Sequence, residues 1–195
     1  MKNSIKAIAV TGGIGSGKSL ALSVLKNNGY KVLSSDEIVV KLYKKKSVLK
    51  KVKALFPSVV KGKLFLSLDK VALSNEVFFD CAKHKALTDL ITPLVFEHIK
   101  RRIKRAKQNL FIEIPLLFEC GCQKDFDNVI VITRPLKDRI ESVKKRSNLT
   151  EEQILARIKK QVNYDELDLT SYIVIENVGA VDTFRDRVLS VAKSI

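Results

Sequence analysis

Apolar residues along this chain follow two rhythms. Short, β-branched runs at 5–10 (interrupted by Lys6), 32–33, 110–114, 129–132 and 173–175 have the length and continuity of strands buried on both faces. Between them the spacing turns helical. Leu20, Ala21, Val24 and Leu25 share one side of a helix starting at Lys18, with Asn27-Asn28-Gly29 as its left-handed stop. Thr150-Glu151-Glu152-Gln153 predicts a capping box for a helix running to about Gln161. Asp182 is placed to cap a last helix that buries Phe184, Val188 and Val191. Strands alternating with helices predict an α/β protein, a mostly parallel sheet between helical layers.

The stretch 37–108 breaks this alternation. It contains no convincing strand, and its helical pieces at 36–46, 68–78 and 94–107 are punctuated by Pro57, Gly62 and Pro93. It is far longer than a simple crossover. The expectation is a helical insertion folding over the carboxyl edge of the sheet, where open α/β sheets bind ligands. The core is then 1–36 with 109–195, and 195 residues accommodate both.

Charge and cysteines narrow the setting. Lys and Arg number 36 against 21 Asp and Glu, a net charge of +15, which suits a polyanion or a multiply phosphorylated small molecule. Three cysteines make a disulfide framework improbable, and Cys120-Gly121-Cys122 with only the distant Cys81 falls short of a zinc set. Free thiols and a cytoplasmic location are expected. The apolar run at 5–10 is too short and too soon broken by glycines for a signal peptide or membrane span.

The chemistry begins where the first strand ends. Gly12-Gly13-Ile14-Gly15-Ser16-Gly17-Lys18-Ser19 fits G-x-x-x-x-G-K-[ST], the phosphate-binding P-loop (Walker A). Glycines let successive N–H groups turn inward toward phosphate oxygens, and the following helix adds the positive end of its dipole. Gly13 to Ser19, with Leu20 and Ala21, are the expected ATP contacts; Lys18 reaches the β- and γ-phosphates and the Ser19 hydroxyl is placed to ligate Mg²⁺. No Asn-Lys-x-Asp guanine signature follows, and the length suits a small-molecule kinase with a helical lid at about 137–165.

Two carboxylates extend the site. Asp36 follows the second strand and is the candidate to orient an acceptor hydroxyl and take its proton; as a mere helix cap it would need no substrate. Glu113 ends the third strand, where a carboxylate can stand behind Mg²⁺ as a Walker B acid. Nucleoside monophosphate kinases typically carry an arginine after the next proline; here Pro115 is followed by Leu116, which points to another acceptor.

Taken together, 11–19, the Asp36 segment, Leu68-Asp69-Lys70 with Ala72-Leu73 and Val77-Phe78, Pro115-Leu116-Leu117-Phe118-Glu119, Arg157 with Gln161, and Asn177 with Gly179 occur in the order seen in dephospho-CoA kinases. The chain resembles that family over nearly its whole length. The resemblance implies a three-layer P-loop kinase core with a CoA-binding helical insertion and a lid. It implies transfer of the ATP γ-phosphoryl group to the ribose 3′-hydroxyl of dephospho-CoA. It further implies that Asp36 engages that hydroxyl, that Leu116, Phe118 and Glu119 meet the acceptor, that Arg146 meets ATP phosphates from the lid, and that Asn177 lies against the adenine. The chain departs from the family pattern at Leu20, Ser34, Val40, Lys70, Thr92, Glu113 and Ser142. Lys70 in place of an arginine changes a bidentate phosphate grip, and Ser142 leaves Arg146 as the single lid candidate.

Two other functions compete. A kinase for a different small alcohol would lack the Pro-Leu-Leu-Phe-Glu string. A non-enzymatic nucleotide switch or nucleic-acid-binding module is suggested by the basic segments 41–53 and 100–107, but they hold only Tyr43 as an aromatic and alternate with apolar residues at helical spacing, as solvated helix faces do. A monomer with no nucleic-acid or membrane partner is expected.

Overall fold

Strand β1 (Ala7–Thr11) is buried along its whole length and lies at the centre of a five-stranded parallel sheet. The computed structural model describes residues 5–63, 65–78 and 80–195. Helix α1 (Lys18–Asn27) follows the loop after β1, and β2 (Lys31–Ser34) runs at one sheet edge. The chain then leaves the sheet and returns as β5 (Leu110–Glu113), β6 (Asn128–Thr133) and β7 (Ile173–Glu176), giving the spatial order β2-β5-β1-β6-β7. Strand pairing aligns Ser34, Glu113 and Val10 in one row near the carboxyl ends. The strand order reverses beside β1, so the loop after β1 opens at the switch point of the sheet.

One face of the sheet presents Ile8, Val10, Phe111, Ile130, Ile132 and Ile175 to Ala21, Leu22 and Leu25 of α1 and to Phe184, Val188 and Ala192 of α8 (Val181–Ser194). The alternate positions Ala9, Ile112 and Val131 are equally buried, as a sheet covered on both faces requires. Between β6 and β7 lie α6 (Leu136–Arg146) and α7 (Glu151–Ile158), and the Thr150 capping box forms as expected.

The described residues divide into two compact units, Met1–Ser34 with Ala106–Ile195, and Ser35–Arg105. The second contains α2 (Ser35–Leu42), α3 (Lys46–Leu55), a two-stranded antiparallel hairpin of β3 (Val60–Lys61) and β4 (Ser67–Leu68), α4 (Lys70–Phe78) and α5 (Cys81–Lys104). It buries Ile38, Leu42, Val48, Leu49, Val52, Phe56, Val59, Leu73, Ile91, Val95 and Ile99.

Several expectations are corrected. The insertion does contain strands, but two-residue strands are too short for any alternation to announce. The 36–46 piece is a helix that ends at Leu42 and a second that begins at Lys46, and Leu68 belongs to β4 rather than to the helix after it. Pro93 does not break a helix. It lies inside the 24-residue α5, exposed, where the carbonyl freed four residues earlier at Asp89 is on the solvent side. Helix α7 stops at Ile158 rather than at about Gln161, which lies beyond it. Asp182 is not the cap of α8: Ala180 is, and Asp182, inside the first turn, accepts from Arg185 at 2.8 Å.

Cys81, Cys120 and Cys122 are free thiols. Burial, with Cys120 and Asp125 nearby, pushes the Cys122 thiol up to about 12. No helix among the described residues is long and apolar enough to cross a membrane.

Candidate functional site

The loop 12–19 leaves β1 at the centre of the sheet and is held by contacts from several directions. Within it, the Ser16 N–H donates to the Gly13 carbonyl at 3.1 Å, and Gly17, in the left-handed region, forms the N-cap of α1. Gly15 has φ of +79°, which a side chain rarely adopts. The first turn of α1 carries no acidic residue, so the positive end of its dipole favours an anion. Lys18 folds back, donating from Nζ to the carbonyls of Gly12 at 2.5 Å and Gly13 at 3.0 Å. Ser16 Oγ is buried without a hydrogen-bond partner among the described residues. Ser19 is exposed at the second position of α1, Leu20 packs against the core cluster, and Ala21 turns its methyl into that core.

Asn177, just past β7, reaches the loop: its Nδ2 donates to the Ser16 carbonyl at 2.8 Å, while its own N–H is held by the Thr133 carbonyl at 2.9 Å. Glu113 is 9% exposed, and its Oε2 accepts from Ser34 Oγ at 2.7 Å. A hydrogen bond to an ionised carboxylate is worth about 1.5–3 kcal/mol and fixes the direction of the group. Past β5, Leu116 is exposed, Leu117 is buried, and Phe118 packs edge-on against Tyr164 and Tyr172 with ring centroids 5.8 and 5.4 Å apart. Glu119 Oε1 accepts from the Val162 N–H at 3.0 Å. Arg146 is exposed at the end of α6, and Arg157 is exposed on α7. Asp36 belongs to the other unit, exposed in the first turn of α2 beside Glu37, where the helix dipole favours carboxylates.

The structure adds Tyr164 and Arg139, which the motifs did not name, and gives Gln161 a partner. Tyr164 is buried and its hydroxyl lies 3.2 Å from Thr11 Oγ1; burial raises its pKa. Arg139, 5% exposed, donates from Nε to the Ile14 carbonyl at 3.0 Å, and Gln161 accepts from the Ile14 N–H at 2.7 Å. Burial pulls the Arg139 pKa down, against the opposing pull of Asp165. With Val143 four residues later Arg139 forms the buried face of α6, an unusual place for a guanidinium that no pattern in the sequence announces.

The comparisons with known proteins agree on a family. The family model described as dephospho-CoA kinase matches residues 6–183. The chain is 35% identical over 176 residues to a dephospho-CoA kinase of Thermus thermophilus, covering 90% of this chain and 84% of that one. A Thermus thermophilus crystal structure superposes with a TM-score of 0.84 at 33% identity, covering 98% of each chain. The dephospho-CoA kinase of Campylobacter jejuni superposes with a TM-score of 0.71 at 27% identity, covering 96% of each.

Proposed function

The chain belongs to the dephospho-CoA kinase family, and on that premise we propose how its residues divide the work of moving the ATP γ-phosphoryl group to the ribose 3′-hydroxyl of dephospho-CoA. It is a kinase, and its reaction is the final step of coenzyme A synthesis. The observation that carries the assignment is the loop 12–19, shaped for phosphates at the centre of a parallel sheet, in a chain whose family match spans residues 6–183.

The N–H groups of residues 13–19 take the ATP phosphates. Lys18 exchanges its two loop carbonyls for β- and γ-phosphate oxygens, so the ammonium is not left unpaired in either state. Asp36 orients the 3′-hydroxyl. As the new O–P bond forms, the bond from γ-phosphorus to the bridging oxygen breaks, its electron pair leaves with ADP, and the hydroxyl proton passes to Asp36. The transition state is loose, so placing the hydroxyl in line matters more than the strength of the base. Arg146 contributes positive charge to the transferring group from the lid at 137–165.

Ser19 and Glu113 are the residues that would hold Mg²⁺. They fit as hard oxygen donors, one of them an oriented carboxylate, and among the described residues no group of three or more His, Cys, Asp or Glu forms an all-protein cage. Mg²⁺ characteristically takes its remaining ligands from substrate phosphates and water. When bound, it supplies charge neutralisation at the β,γ oxygens. Leu116, Phe118 and Glu119 face the acceptor, Asn177 the adenine, and the insertion 37–108 the rest of dephospho-CoA. The protein acts as a cytoplasmic monomer, with no nucleic-acid or membrane partner.

The test is ADP release from Mg-ATP with dephospho-CoA, adenosine, gluconate and shikimate offered singly. Turnover with dephospho-CoA alone is expected. Equal rates on all four, or turnover on another acceptor only, overturns the acceptor assignment.

A further inference from the structure

Ile14 is bonded at both ends of its own backbone by side chains distant in sequence. Its N–H donates to Gln161 Oε1 at 2.7 Å, and its carbonyl accepts from Arg139 Nε at 3.0 Å. Arg139 comes from α6 and Gln161 from just beyond α7, so the two ends of one segment close on a single residue of the phosphate loop. The fit is close: a Cβ on Gly13 would collide with the Arg139 guanidinium, and one on Gly15 would meet the Arg139 backbone. An apolar side chain could occupy a 5%-exposed position without the desolvation of a charge, so packing alone does not explain an arginine there.

We propose that Arg139 and Gln161 are positioning residues for phosphoryl transfer, gripping the Ile14 backbone from both sides and so fixing the loop in its phosphate-binding shape. A loop with glycines at 12, 13, 15 and 17 has much freedom to lose. Its N–H groups stabilise transferring phosphates only if their directions are set before substrate arrives. The grip sets those directions without touching the nucleotide, and it ties the loop to the segment that bears Arg146.

Arg139→Met keeps length and apolar contact while removing donors and charge; Gln161→Met removes the acceptor. Measured on the full chain, ADP affinity falls about tenfold in Arg139→Met, the scale of a lost hydrogen bond to a charged group. AMP affinity, read by competition, falls by no more than about twofold, because AMP keeps only the α-phosphate and lacks the β-phosphate that the loop also cradles. In turnover, kcat/KM for ATP drops while KM for dephospho-CoA holds. Arg139→Lys, which restores a donor, recovers part of the loss. The double variant is less impaired than the product of the single losses, since both side chains hold one residue.

Should Arg139→Met fail to fold, Gln161→Met, at a half-buried position outside any helix, decides alone on the same ADP and AMP readouts. Wild-type ADP affinity in the folded variants, equal losses of ADP and AMP, or losses in the double variant that simply multiply would each overturn the proposal. The ADP arm needs no acceptor, so an error in the acceptor assignment would show only in the turnover arm.

Discussion

The two units of this protein differ in how much chain is needed to determine a local shape. In the unit of Met1–Ser34 and Ala106–Ile195, the strand, loop and helix that carry Lys18 are specified within about twenty residues, by β-branched residues, glycines and helical spacing read in order. In Ser35–Arg105, α5 runs through Pro93, and a hairpin forms from strands of two residues, too short for alternation to mark. There the shape comes from packing around Phe56, Val52 and Ile99. A loop that handles phosphates must have one backbone geometry, so its sequence is constrained residue by residue. A helical unit can satisfy its core with many sequences.

The largest expected effects separate the units by what each handles. Lys18→Ala and Asp36→Ala should each lower kcat by about a hundredfold to ten-thousandfold. Only Lys18→Ala should also weaken ADP binding, and calorimetry on both variants checks this. Equal ADP losses would erase the division between nucleotide and acceptor units.

Phe56→Ala removes a side chain 1% exposed and should cost about 3–5 kcal/mol in urea unfolding followed by circular dichroism, with ADP affinity retained where the protein is folded. Gly15→Ala does the reverse. At φ of +79° and against the Arg139 backbone it should cost about 1–3 kcal/mol of local strain, read as a loss of ADP affinity larger than the loss in melting temperature would suggest.

The smallest effect concerns the thiols. With Cys122 raised to about 12, the neutral form prevails through pH 9, where only about one part in a thousand is thiolate, and alkylation speeds up only as pH climbs toward that value. Peptide mapping after iodoacetamide at pH 8 should find label on exposed Cys81 before Cys122.

Much of the unit of Met1–Ser34 and Ala106–Ile195 was legible: five strands fell where apolar runs placed them, and the Thr150 capping box formed. Arg139 was not, because Leu136-Lys137-Asp138-Arg139 reads as a solvated helix start and only the folded chain brings the loop to it. Gln161 marks the expected end of the capping-box helix. Its use became visible once α7 ended at Ile158 and freed it to meet Ile14. Hydrogen bonds between residues more than a hundred positions apart leave no periodicity to read.

The γ-phosphoryl group is expected on the ribose 3′-oxygen of dephospho-CoA. Phosphorus NMR of the product made from Mg-ATP tests it directly. One new phosphomonoester coupled to the ribose H3′, with ADP in equal amount, is the predicted result. No new phosphomonoester, or one coupled to another ribose proton, would contradict it.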